Sequence, residues 1–330
     1  MPAKKDTSKM YAIGIDLGGQ SIKGALVNNK GKIVDDIVVP TEGEKGPKHV
    51  ISQIRILTQK LADSAARKKG HVLGACVATP GLIDMKKWIV RIAPNLPGWV
   101  DIPLLKECQK GFKFPFLLEN DANAAAYGEK WIGTGKKSDT MIVLTIGTGI
   151  GGGLILNGKV WHGADGAGGE PGHINYDPNG LVCGCGNPGC LEAHASALGI
   201  NRRTRMAIES GEKTLITKLI KNDLDNISPE IVYQAALKKD KLALRILDET
   251  GRIIGIGIMT LVNLLNPEMV ALGGGVMKAG DFILKPAQDE FRKRGFKFLI
   301  DRTEIVMAKL GNEAGRIGAA GIVFSEINAK

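Results

Sequence analysis

Three cysteines fall close together in the stretch Cys183-Gly-Cys185-Gly-Asn-Pro-Gly-Cys190. Thiolates held so near one another by glycines and a proline suit a tetrahedral zinc ion that lacks one ligand. His173, a short way upstream, is the obvious fourth, with His162 and His194 as competitors. An iron–sulfur cluster usually asks for four cysteines, and Cys76 and Cys108 read as parts of a strand and a helix. The crowding also argues against a disulfide framework and for a reducing cytoplasm.

Two carboxylates flank this loop, in Glu170-Pro-Gly-His173 and Cys190-Leu-Glu192. They could accept hydrogen bonds from the hydroxyls of a polyol or sugar; the plainer alternative is that they support the metal or lie on the surface. A histidine that gives one ring nitrogen to zinc keeps the other for a ligand. Glu119-Asn120-Asp121 ends a strand and opens a helix rich in small residues. Asp121 fits either an N-cap or a general base that takes a proton from a substrate hydroxyl.

Glycines gather at three strand ends: Asp16-Leu-Gly18-Gly19, Gly147-Thr148-Gly149 and Gly273-Gly274-Gly275. Such turns let backbone N–H groups approach an anion closely. None is a dinucleotide fingerprint or a GxxxxGK[ST] loop. Together they favour a nucleotide held between two lobes. Asp16 could hold magnesium through water, or only shape its turn.

The elements that must position these residues alternate, as in an α/β protein. Strands are expected at 11–15, 23–27, 33–39, 72–78, 116–119, 141–146, 152–156, 269–272 and 304–308. Apolar spacing at Val50, Ile54, Leu57 and Leu61 predicts an amphipathic helix over 48–68. Further helix is expected at 122–131 and through most of 227–266, ended by Pro267. Residues 15–28 and 144–157 repeat one pattern, with Asp16 on Thr145, Gly18 on Gly147, Gly24 on Gly153 and Asn28 on Asn157. Each copy reads as a β-hairpin, so two related half-domains are expected.

Composition narrows the classes. With 330 residues and 44% hydrophobic content the chain can bury two cores, which excludes disorder. The 44 glycines have no period, which excludes collagen and low-complexity sequence. The charge of +10 comes in short runs such as Arg67-Lys68-Lys69 and Arg292-Lys293-Arg294. These read as solvated helix ends, and no interleaved aromatics support base stacking, so nucleic acid is not expected. Residues 1–9 are polar, with no leader pattern. The uncharged run 253–267 is too short to span a bilayer and reads as a buried helix.

Taken jointly, Asp16-Leu-Gly-Gly19, Glu119-Asn-Asp121, Gly147-Thr-Gly-Ile-Gly-Gly-Gly153, Glu170-Pro-Gly-His173, the cysteine loop through Glu192 and Leu272-Gly-Gly-Gly275 resemble the ROK family of repressors and sugar kinases. The resemblance runs from about residue 11 to 323, with the motifs in family order; Pro94-Asn-Leu-Pro-Gly-Trp99 fits as well. It implies an actin-like ATPase (ribonuclease H-like) fold with sugar and ATP in a cleft between two lobes. Residues 1–121 with 312–330 would form the small lobe, and 122–311 the large one with the zinc loop and dimerisation helices.

The resemblance also implies the roles. Asp121 would be the base, and Asn120, Glu170, His173 and Glu192 would bind the sugar. Asp16, Gly18, Gly19, Gln20 and Lys23, with Thr145, Gly147, Thr148 and Gly149, would serve the phosphates of ATP and its magnesium. Gly273, Gly274 and Gly275 would lie near the adenosine. His173, Cys183, Cys185 and Cys190 would hold a structural zinc. Gln20 departs from the threonine usual in the family and removes a hydroxyl there, leaving the backbone donors.

The activity expected is ATP-dependent phosphorylation of a hexose, D-glucose foremost, by a cytoplasmic homodimer. Fructose, mannose, N-acetylmannosamine and N-acetylglucosamine are alternative acceptors, and polyphosphate an alternative donor. A non-catalytic sugar sensor or repressor is disfavoured: about ten residues precede the first strand, too few for a DNA-binding domain, and Asp121 and the phosphate glycines are in place.

Overall fold

The computed structural model describes residues 9–328; residues 1–8, which carry most of the segment read as having no leader, lie outside it. In chain order the first elements are β1 (Met10–Leu17), β2 (Ser21–Asn28), β3 (Ile33–Pro40), α1 (Pro47–Arg67), β4 (His71–Thr79), β5 (Leu82–Asp84), β6 (Ile89–Ile92), β7 (Val100–Ile102), α2 (Leu104–Gln109), β8 (Phe116–Asn120) and α3 (Asp121–Trp131). There follow β9 (Met141–Ile146), β10 (Ile150–Leu156), β11 (Lys159–Val160), α4 (Leu191–Ala195), α5 (Ala197–Glu209), α6 (Leu215–Leu219), α7 (Pro229–Leu237) and α8 (Lys241–Leu265). The last are β12 (Met269–Gly273), α9 (Asp281–Arg294), α10 (Lys297–Ile300), β13 (Glu304–Met307) and α11 (Ala314–Asn328).

Two compact units result. The first runs to Asp139, takes in Gly153–Gly169 and closes from Leu310 onward; the second is Thr140–Gly152 with Glu170–Lys309. In the first unit the sheet order is β3-β2-β1-β4-β8. β1, β2 and β3 are antiparallel neighbours, while β4 and β8 run parallel to β1. Alternation along β1 sorts its side chains between two layers. Ile13, Ile15 and Leu17 share a core with Val50, Ile54, Leu57 and Leu61 of α1. Ala12 joins Ala124 of α3 and Ala319, Ala320 and Val323 of α11. Small residues prevail in that second core because α11 lies almost on the strand: a Cβ on Gly14 would fall 1.8 Å from the Arg316 carbonyl oxygen.

The second sheet has the order β11-β10-β9-β12-β13, with β9, β12 and β13 parallel and β10–β11 antiparallel. Its topology repeats that of the first sheet strand for strand. The hairpins read from the sequence repeat occupy equivalent places, β1–β2 and β9–β10. The expected helical stretch over 227–266 is two helices. Asp240 starts a new N-cap by accepting from the Ala243 N–H (2.9 Å), and Asn266 in the left-handed region ends α8. The run 253–267 falls largely within α8, which packs on α9, and no described helix is long and apolar enough to cross a membrane. The small sheet β5-β6-β7 was not anticipated, its strands being too short for alternation to show.

Candidate active site

The first unit carries Asp16, Gly18, Gly19, Gln20, Lys23, Asn120 and Asp121. Asp16, next to last in β1, stands opposite Lys23 of β2, with Lys23 Nζ 3.6 Å from Asp16 Oδ2. Burial pushes the Asp16 carboxyl above its ordinary pKa, and Lys23 works against that shift. In the turn the Gly18 N–H donates to the Ser21 carbonyl (3.0 Å), while Gly19 and Gln20 are exposed. The loop is clamped by Thr41, a buried residue that sequence reasoning missed. Its hydroxyl donates to the Gly18 carbonyl (2.6 Å) and its N–H to the Gln20 carbonyl (3.0 Å).

At the C-terminal end of β8, Asn120 is the cap of α3: its Oδ1 accepts from the Ala122 N–H (2.9 Å) and the Asn123 N–H (3.2 Å). The cap role considered for Asp121 is therefore filled by its neighbour. Asp121 is the first helical residue, its Oδ1 accepting from the Ala122 N–H (2.9 Å), where a negative charge is favoured by the helix dipole. Glu119 is only 3% exposed and meets Asn120, Asn123 and His162. The Glu119 carboxylate raises the His162 pKa above the ordinary imidazole value, partly opposed by burial.

The second unit carries the remaining candidates. Thr145 stands in register with Gly273 across β9 and β12. Beyond it the Gly147 N–H donates to the Gly149 carbonyl (2.9 Å), and the Ala197 N–H, opening α5, donates to the Gly147 carbonyl (2.8 Å). A cavity of about 540 Å³ brings Gly147 and Thr148 together with Gly275, and adds Ser228, Tyr233 and Lys278, which the sequence reading did not single out. Its volume is in the range of small-molecule sites. Gly274 makes the turn at its rim possible: φ is +94°, and a Cβ would lie 2.3 Å from the Ile146 carbonyl oxygen. Gly274→Ala is expected to destabilise the protein by about 2 kcal/mol. A scanning-calorimetry midpoint equal to wild type would show that the turn relaxes without strain.

His173, Cys183, Cys185 and Cys190 gather their ligand atoms within 4.8 Å of one another. Cys185 Sγ lies 3.6 Å from Cys190 Sγ, and Cys183 Sγ lies 3.8 Å from His173 Nδ1. Burial pushes the Cys183 thiol up to about 12, whereas the Asn187 backbone N–H holds Cys185 down at about 7. His194 is not part of the cluster. Its Nε2 accepts from the Leu181 N–H (3.1 Å), and burial lowers its pKa, which suits an acceptor. Glu170 is exposed just before the short 3₁₀ turn Pro171–His173. Glu192 is engaged twice, accepting from the Ile150 N–H (2.8 Å) and the Cys183 thiol (3.4 Å). It links the cysteine loop to the start of β10.

Residues 12–326 match the ROK family. The glucokinase of Halalkalibacterium halodurans is 37% identical, over 98% of this chain and 97% of its own. A putative xylose repressor of a Caldicellulosiruptor species is 33% identical, over 96% of this chain and 79% of its own. The ROK family glucokinase of Streptomyces griseus, in complex with glucose and AMPPNP, superposes with a TM-score of 0.78 at 31% identity, covering 94% of this chain and 98% of that one. The fold is that of the actin-like ATPases, consistent with two sheets of one topology and hairpins at equivalent ends. With family motifs in order along the sequence, a family match across nearly its whole length and its fold in common with a solved member, the chain belongs to the ROK family.

Proposed function

We propose that this protein transfers the γ-phosphoryl group of ATP to the terminal hydroxyl of a hexose, D-glucose before others. The observation that carries the reading is the cavity in which Gly147 and Thr148 meet Gly275, a glycine-lined recess suited to a nucleotide. The glucokinases this chain resembles support the acceptor. Asp121 takes the proton of the hydroxyl as its oxygen bonds to the γ-phosphorus; the bond to the β,γ-bridging oxygen breaks and ADP leaves. Asn120, through its amide N–H, and Glu170, His173 and Glu192 hold the other hydroxyls. The turns of Gly18, Gly19 and Gln20 and of Thr145, Gly147, Thr148 and Gly149 receive the phosphates, and Gly273, Gly274 and Gly275 lie by the adenosine.

The residues fit both metals. Asp16, a carboxylate that burial makes costly to ionise and that Lys23 partly offsets, is suited to hold magnesium through water. Bound magnesium supplies neutralisation of the charge on the transferring group. Zinc–sulfur bonds of about 2.3 Å and zinc–nitrogen bonds of about 2.0–2.1 Å at tetrahedral angles would set two sulfurs roughly 3.8 Å apart and a sulfur and a nitrogen roughly 3.6 Å apart; the Cys185–Cys190 sulfurs at 3.6 Å and the Cys183–His173 pair at 3.8 Å lie close to these values. That zinc would be structural, ordering the loop that carries Glu192. A reducing cytoplasm, which keeps the thiols available, and a homodimer complete the reading.

The test is ADP formation with magnesium and ATP across glucose, mannose, fructose, N-acetylmannosamine and N-acetylglucosamine, with polyphosphate as a second donor. Glucose is expected to give the highest kcat/KM. Preference for another sugar keeps the mechanism and changes the substrate. Sugar binding without turnover on either donor would overturn the kinase and favour a sensor.

A further inference from the structure

We propose that His162 is a positioning residue for the base: it clamps Glu119, and Glu119 in turn sets the first turn of α3, on which Asp121 sits. The inference rests on the kinase reading above. Its basis is a closed set of hydrogen bonds within the first unit. His162 Nε2 lies 2.7 Å from Glu119 Oε2. The other oxygen, Oε1, accepts from the Asn120 N–H (2.9 Å) and from Asn123 Nδ2 (3.0 Å). Asn120 and Asn123 are the cap and third residue of the helix that Asp121 begins. Asn120 also donates from Nδ2 to the Gly81 carbonyl (3.4 Å).

Glu119 is too buried to meet solvent or substrate, at 3% exposure, and Asn123 is 4% exposed. A buried carboxylate persists only when its lone pairs are satisfied. Without His162, Oε2 loses its donor, and the carboxylate is drawn away from Asn120 and Asn123 toward whatever can replace it. The helix start would then lose its fixed orientation, and a small displacement of a reacting group is costly. Other groups with charge or a proton to lose face this pair: Glu326 of α11, which acts on His162, Cys76 of β4, which feels Glu119, and Lys159 of β11, which shares a cavity wall with His162. None of these three hydrogen-bonds Glu119, so the imidazole is the donor that completes it.

That cavity, about 700 Å³ and walled by Met85, Trp88, Leu118, Tyr127 and Ile322 beside His162, has room for a free imidazole, which makes the clamp testable by chemical rescue. In His162→Ala, kcat is expected to fall about ten- to a hundredfold with KM for ATP unchanged. Added imidazole should restore part of the loss in a saturable way. His162→Gln, which keeps an N–H donor of similar reach, should retain most of the rate. A folded His162→Ala as active as wild type would overturn the proposal, as would an impaired one that neither imidazole nor the glutamine variant improves. Should His162→Ala fail to fold, His162→Asn, whose amide stops short of Glu119, takes its place with the same outcomes. Hydrogen exchange at the Ala122 and Asn123 amides reports the clamp without turnover: faster exchange in the variant, slowed again by imidazole, supports it, and unchanged exchange overturns it. A wild-type protein that phosphorylates no sugar would sink the kinase reading instead, and the exchange result would still decide the clamp.

Discussion

Asp121→Asn is expected to lower kcat for hexose phosphorylation by about 10²–10⁴-fold, the usual contribution of a general base, or roughly 3–5 kcal/mol of barrier. Glucose affinity, measured by calorimetry, should change little. The amide has the size and shape of the carboxylate and still sits at the first position of α3, whose cap is Asn120 rather than Asp121. The charge lost from the helix start is worth only about 0.3–1 kcal/mol at most exposed sites, so the variant should fold. The two effects differ enough to be told apart. A kcat within a few-fold of wild type would remove Asp121 as the base. Loss of glucose binding together with a depressed melting temperature would mean that the residue serves the helix start and not the chemistry.

The sequence shows the central strands β1, β4, β9 and β12 because they are buried and read as apolar runs, whereas β11, two residues long, leaves no such pattern. The candidate site residues show because they lie in short motifs, most of them at strand ends. What it could not show are residues tied to the site through space. Thr41 lies 23 positions from the carbonyl it clamps, and His162 lies 43 from Glu119; neither sits at a spacing that any local pattern encodes. Asn120 is legible as a polar residue at a helix start, but the sequence leaves Asp121 open as either cap or base, since both residues are good caps and only the backbone decides which comes first. Glu192 reads from the sequence either as a sugar ligand or as an acid near the metal. Its bond to the Ile150 N–H, between segments far apart in sequence, shows how the cysteine loop and a strand end are joined.

Cys185→Ser should remove the metal from its cluster and weaken sugar binding by tenfold or more, a magnitude typical where a site's support is lost. Serine is close to cysteine in size, so packing alone cannot cause this; what changes is the donor. Cys185 is the exposed cysteine of the cluster, held near Cys190 at 3.6 Å, and the thiol whose proton is easiest to lose. Ligation must expel the protons of the other thiols as well, so affinity for zinc should fall steeply as pH drops. The loss should spread through the loop itself. Glu192 follows Cys190 by two residues and accepts from the Ile150 N–H, so disorder in the loop should free a proposed sugar ligand before it disturbs the cavity of Gly147 and Gly275. KM for glucose should therefore rise more than KM for ATP, and a chelator should do the same to wild type. A variant with full zinc content and wild-type glucose affinity would remove Cys185 from the metal site. One that loses zinc yet binds glucose normally would confine the metal to stability and break the proposed link through Glu192.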